Sequence, residues 1–256
     1  MTTTPVTPPL DAATLAGAEA RLLAVQTRIA AAAARAGRDP AEITLVGVAK
    51  KQPIARVLAA VAAGVRVLGQ SYVQEAREVR PAIESALAKD PATAALGLSW
   101  RMVGQLQRNK APLAARLFDA VESLDRPALA DALARRAEQE GRTLEVLIQV
   151  SLCGEPQKGG CEPDAVAALA HQVRSADSLH LAGLMTVPAA SPDPERARAA
   201  FRRLRTLRAE LATDDPGFAR AELSMGMSGD LEVAVEEGAT LVRIGTALFG
   251  ERVTPG

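Results

Sequence analysis

The sequence predicts an α/β fold, a single (β/α)8 barrel of the TIM type with an additional N-terminal helix. Three observations predict it. Eight short runs rich in Val, Leu and Ile lack strict polar alternation, as strands buried on both faces of a parallel sheet do. Helical stretches lie between them. The 256 residues show no break in composition, and α/β barrels of this size are routinely one domain. A doubly wound open sheet is the alternative. It would normally carry a Gly-rich dinucleotide turn after its first strand, where this chain reads Lys50-Lys51-Gln52-Pro53.

In chain order, residues 1–11 read as a disordered arm, and residues 12–256 as one barrel domain. The arm has neither a basic n-region nor an apolar h-region, so it is not a secretory signal. A first long helix runs from about Ala12 to Gly37. The strands expected are Thr44–Lys50, Val67–Ser71, Ser99–Gly104, Ala120–Leu124, Leu144–Ser151, Leu179–Val187, Ala221–Ser224 and Leu241–Ile244. Of the helices, Ile54–Ala63 stops at Gly64, a C-cap signal. Tyr72–Lys89 carries paired charges. Arg126–Glu140 stops at Gly141. Pro163–Ser175 and Pro194–Leu211 have proline near the first turn. Asp230–Glu237 stops at Gly238. The arginine-rich stretch Glu195–Glu210 is balanced by acidic residues and reads as a solvated helix face.

Composition excludes several function classes. Apolar residues make up 48%, enough for a substantial core, and the net charge is zero. No electrostatic footprint for nucleic acid or an anionic membrane follows, and no apolar run is long enough to span a bilayer. Cys153 and Cys161 have no CxxC spacing and no His partner in a ligand pattern, so neither a disulfide scaffold nor a metal site is expected, and a reducing cytoplasm is the simplest home. His171 and His180 have no nearby Ser/Asp or Cys partner, which speaks against a His-based triad.

Lys50 carries the first chemical signal. The chain has five lysines against twenty-five arginines, and one of the five closes the apolar run from Thr44. A desolvated lysine can lose its proton and attack carbonyls, whereas arginine cannot; the plain alternative is a surface lysine just past a strand. In a barrel, phosphate commonly binds at the loops after strands seven and eight. Here those loops read Ser224-Met-Gly-Met-Ser-Gly-Asp230 and Arg243-Ile-Gly-Thr246. Small residues admit backbone N–H groups to a phosphate, hydroxyls add donors, and a helix N-terminus adds partial positive charge. Arg243 should point into the barrel mouth, where a guanidinium is costly unless it meets an anion or a strong acceptor. Closure brings Lys50 beside the eighth strand. An amine for an aldehyde, donors for a phosphate and a partner for a ring nitrogen together match pyridoxal 5′-phosphate (PLP). The strand ends Gly69–Glu75, Trp100–Lys110 and Gly183–Pro188 would add a polar rim.

The runs VGVAKKQP, LGQSYVQEA, WRMVGQLQRNK, GLMTVP and LSMGMSGDLEVAVEEGATLVRIGTALFG resemble, in family order from about Ile43 to Gly250, the pyridoxal phosphate homeostasis proteins of the YggS/PROSC type. That family is related in fold to the N-terminal barrel domain of alanine racemase. The resemblance implies PLP held as a Schiff base on Lys50. It implies Ser224, Gly245 and Thr246 along the phosphate, Arg243 facing the pyridine nitrogen, and Met225 and Gly226 against the cofactor. The chain departs from the family pattern at Gln52, Gln70, Ser71 and Arg101. Ser71 stands where an Asn normally approaches the cofactor; being shorter, it would reach it through a water.

An arginine beside the pyridine nitrogen cannot protonate it, so the ring is a weaker electron sink. A racemase also needs a second base on the opposite face of the substrate, which in alanine racemase-like enzymes comes from another domain of the partner subunit. Six residues follow Gly250, too few for such a domain, and the resemblance puts Tyr72 at a helix start, not opposite the lysine. The expectation is a cytoplasmic, monomeric PLP carrier without robust turnover, delivering cofactor to apo-enzymes. A low-activity amino-acid racemase, a Schiff-base aldolase acting on a phosphosugar and a pure interaction scaffold are the competing readings.

Overall fold

The computed structural model describes residues 11–89, 93, 96–155 and 158–251. Apart from Asp11, the expected N-terminal arm lies outside them. Eight parallel strands close into a barrel in sequence order: β1 Thr44–Val48, β2 Val67–Gln70, β3 Ser99–Met102, β4 Ala120–Leu124, β5 Leu144–Gln149, β6 Leu179–Met185, β7 Glu222–Ser224 and β8 Leu241–Ile244. β8 returns to β1 with Thr44 opposite Leu241 and Gly47 opposite Ile244, which closes the sheet and removes its edges.

The helices around it are α1 Ala12–Arg35, α2 Ile54–Ala63, α3 Val73–Ala88, α4 Ala111–Leu117, α5 Pro127–Gln139, α6 Val166–Arg174, α7 Arg198–Asp214, α8 Leu231–Glu236 and α9 Thr246–Phe249. α1 begins at Asp11, whose carboxylate accepts the Thr14 N–H at 2.7 Å and caps the first turn. It buries Ala18, Leu22, Val25, Ile29, Ala32 and Ala33, one face of a 3.6-residue period. That face packs on α2, α8 and α9, so the extra helix covers the seam where β8 meets β1.

The structure differs from the sequence-based expectation mainly at element ends. Five strands stop short of their expected ends, because Lys50, Ser71, Gly104, Ser151 and Val187 have already turned into the loops above the barrel. The proline-led starts at Pro163 and Pro194 are separate 3-10 turns preceding α6 and α7. Helices α4 and α9 have no counterpart in the sequence reading; at seven and four residues they are too short for an apolar stripe to repeat. All four phenylalanines and the one tryptophan are fully buried, while Tyr72 is 52% exposed.

The arginine-rich helix α7 is an ion-paired face. Arg198, Arg202 and Arg205 converge on Glu237, whose side chain is 5% exposed. Arg198 also pairs with Glu236, and Arg28 and Arg35 of α1 pair with Glu232 and Glu236. Helix α8, which follows the seventh strand's loop, is therefore gripped from both sides.

Candidate functional site

Above the C-terminal ends of the strands lies a cavity of about 620 Å3, within the range of small-molecule and cofactor sites. Lys50 enters it from the first strand's side. Past Val48 the chain stays with β2 for one more bond, Ala49 N–H to Gly69 O at 2.9 Å, and then turns. Lys51 takes the left-handed conformation, φ 55°, and its N–H donates to the Glu75 carboxylate at 2.5 Å. Gln52 is buried; its amide donates to Gly250 O at 3.3 Å and its carbonyl accepts from Arg56. The turn that presents Lys50 is thus tied to α3 on one side and to the chain end after α9 on the other.

The seventh and eighth loops form the opposite wall. Met225 N–H bonds Leu241 O at 3.1 Å and Arg243 N–H bonds Gly226 O at 2.9 Å, so pairing with β8 persists two residues past β7. The free part of the loop is Met227–Asp230, closed by Met227 N–H on Asp230 Oδ1 at 2.6 Å. Ser228 Oγ accepts the Ala247 N–H at 3.4 Å, which joins this loop to α9. Met227, Ser228, Gly229, Gly245 and Thr246 line the cavity.

Ser224, Met225 and Gly226 do not line the cavity. Ser224 and Met225 are fully buried. Because the chain is still paired to β8 at these positions, they face the barrel interior and helix α8. Gly226, at φ 93°, is packed so that a Cβ would sit 2.5 Å from the Ala234 Cβ. Ser228 and Gly229, further along the same loop, do line the cavity.

Arg243 does line the cavity and is 5% exposed. Its Nη1 donates to Ser224 Oγ at 2.7 Å and its Nη2 to Thr186 O at 2.8 Å. Burial pulls its guanidinium below the ordinary arginine range, opposed by the charges of Glu122 and Asp230. Ser224 Oγ in turn donates to Glu122 at 2.5 Å. Arg101 stands below, contacting Glu122 at 3.4 Å, Glu145 at 2.6 Å and Glu222 at 3.3 Å.

Ser71 lines the cavity. Gly104 faces it so closely that a Cβ there would lie 2.4 Å from Ser71 O. Tyr72, from the stretch expected to add a polar rim, lines the cavity, and so does Lys158, which sequence reasoning did not anticipate. The Lys158 ammonium donates to Pro188 O at 2.8 Å and pairs with Glu155 at 3.2 Å. A signal for it was available in Gly159-Gly160: a Cβ on Gly160 would lie 2.7 Å from Ser151 N, so this loop must fold back onto the end of β5. Cys153, Cys161, His171 and His180 do not line the cavity; burial pushes the Cys161 thiol up to about 11.

Residues 21–253 match the family described as alanine racemase, N-terminal domain. The pyridoxal phosphate homeostasis protein of Pseudomonas aeruginosa is 44% identical over 230 residues, covering 89% of this chain and 93% of its own length. PipY of Synechococcus elongatus PCC7942, solved with PLP bound, superposes with a TM-score of 0.76 at 34% identity, covering 91% of this chain and all of that one. Alanine racemase of Clostridium difficile 630 shares the fold, with a TM-score of 0.61 at 14% identity over 81% of this chain and 52% of its own.

Proposed function

The chain belongs to the pyridoxal phosphate homeostasis protein family, and from that premise we propose that it binds PLP as a Schiff base on Lys50 and acts as a carrier in vitamin B6 homeostasis. One observation carries the reading. An amine, a nearly buried guanidinium and two small-residue loops converge on a single cavity from the first, seventh and eighth strands. The donor set fits PLP. Gly229 has open space where a side chain would project, leaving backbone N–H groups accessible for a phosphate. Two of the five N–H donors of Arg243 are given to Ser224 and Thr186, and the guanidinium edge toward the cavity suits a ring-nitrogen acceptor.

When bound, PLP supplies an electron sink. The residues of this chain do the holding. Lys50 would be the covalent tether, Ser228, Gly229, Gly245 and Thr246 would cradle the phosphate, Arg243 would meet the ring nitrogen, and Ser71 would contribute a short polar side chain at the rim. Ser224, Met225 and Gly226 support this wall from behind. Arg243 has no proton to give at neutral pH, so carbanion chemistry is weakly supported, and the protein holds and delivers PLP without robust turnover. The carrier reading makes it a single-domain cytoplasmic monomer in transient contact with apo-enzymes.

Tyr72 favours a second reading. It lies on the cavity's rim, where a phenol is a candidate proton donor for a low-activity amino-acid racemase. Appearance of D-isomer from L-alanine or L-serine, lost in both Lys50→Ala and Tyr72→Phe, would support it. The carrier reading itself is tested by recording the visible spectrum, reducing with borohydride and mapping the modified lysine by mass spectrometry. Label on Lys50 is expected; label on Lys110 or Lys158, or none, overturns it.

A further inference from the structure

The carrier reading leaves a buried ion cluster beneath the cavity without a role. Glu122 of β4 is fully buried. One of its oxygens accepts from Arg101 at 3.4 Å, and the other accepts the Ser224 hydroxyl at 2.5 Å. A fully buried carboxylate carries a large desolvation penalty, relieved only by close, well-oriented partners. Arg101 alone does not explain it. That guanidinium already meets Glu145 and Glu222, so its charge is answered without Glu122. Arg243, by contrast, pairs with no carboxylate directly among the described residues; it meets Glu122 through one hydroxyl.

The hydroxyl sets a direction. A serine has one proton to donate. With that proton committed to Glu122, Ser224 Oγ can only accept from Arg243. Thr186 O holds the second nitrogen of the same guanidinium. Two acceptors at fixed places define the plane of a flat, rigid group.

We propose that Glu122 is a positioning residue for the cofactor: acting through the Ser224 hydroxyl, it holds the Arg243 guanidinium in the plane that meets the ring nitrogen of PLP. The inference rests on the PLP reading of the cavity. It also gives Ser224 a role different from phosphate contact, between Arg243 and Glu122.

PLP titration, the absorption maximum of bound PLP and urea unfolding of the full chain test it in Ser224→Ala, Glu122→Gln, their double variant and Glu145→Gln. Ser224→Ala and Glu122→Gln are expected to weaken PLP binding by about tenfold each and to shift the absorption maximum in the same direction. The double variant should be no more than about twofold worse than the weaker single variant, because both break one chain of contacts. Glu145→Gln touches Arg101 but not Ser224. It should lower the urea midpoint while leaving PLP affinity and spectrum unchanged. Additive losses, wild-type affinity in Ser224→Ala, or an equal loss of affinity in Glu145→Gln would overturn the coupling. If Glu122→Gln does not fold, Ser224→Ala against Glu145→Gln decides the matter. Wild-type protein that takes up no PLP fails the cofactor reading itself, whereas a wild type that binds beside unaffected variants fails the coupling alone.

Discussion

Lys51 holds a left-handed backbone with a side chain attached, next to the lysine that enters the cavity. That conformation costs about 1–2 kcal/mol for a residue with a Cβ, and the Glu75 carboxylate compensates by accepting its N–H. Lys51→Gly should stabilise the protein by about 0.5 kcal/mol in urea unfolding, the released strain less glycine's entropy in the unfolded chain. Lost stability instead would mean the lysine side chain contributes more than its backbone costs. Gly104 shows the opposite case. Its missing side chain lets the third strand's loop lie against Ser71, and a Cβ would meet backbone atoms at 2.4 and 2.8 Å. Gly104→Ala should cost about 2 kcal/mol or more and weaken PLP binding as well, since Ser71 and Gly104 both line the cavity. Lys50 and Arg243 could be singled out from sequence because scarcity and burial cost are properties of one position. Ser228 could not be separated from Ser224 that way. Both are small hydroxyl residues of one loop, and only continued pairing with β8 decides which faces the cavity.

Helix α8 is six residues long, too short to be stable on its own, yet it anchors the loop that forms one cavity wall. Its hold comes from arginines on two other helices. The Arg28 hydrogen bond lowers the acid range of Glu232, that of Arg198 lowers Glu236, and Arg202 and Arg198 bonds lower Glu237 against the opposing effect of burial. A carboxylate depressed on folding contributes stability above its unfolded value, and that stability is lost as pH falls through the folded value. The protein should therefore lose stability on acidification from about pH 4.5 downward. Glu237→Gln should flatten that part of the profile in urea midpoints taken across pH, and a profile unchanged by Glu237→Gln would mean these pairs add nothing. At this scale strands β4 and β8 and helix α2 have the expected boundaries; Gly64 marks the end of α2 locally, while both strands carry polar residues, Glu122, Ser123 and Arg243, inside otherwise apolar runs. The sequence reading took the α7 arginines for a solvated face, since their partners lie some thirty-five residues away in sequence and charge spacing within a helix does not reveal them.

Across the whole molecule the barrel has no edge strand and a core built from Ala, Val and Leu around five buried aromatic residues. Phe201→Ala should cost about 3–5 kcal/mol, read as a lower melting temperature with a single transition, because a closed sheet offers no part that can leave alone. PLP at about one hundred times its Kd should stabilise the native state by about 2.7 kcal/mol. Thermal melts with and without PLP should show this, and Lys50→Ala should lose most of the increment. The amino-acid sequence by itself determined the barrel class, the order of its strands and the family. Strand–helix alternation, the lack of polar alternation and the motif order are all written along the chain, and parallel neighbours follow from short right-handed crossovers. Tertiary structure alone decided which loop residues reach the cavity, that Lys158 shares it, and that Glu122 stands beneath Arg243. Those relations depend on where a chain stops pairing with its neighbour, and on contacts between residues more than a hundred positions apart, distances that no local pattern encodes.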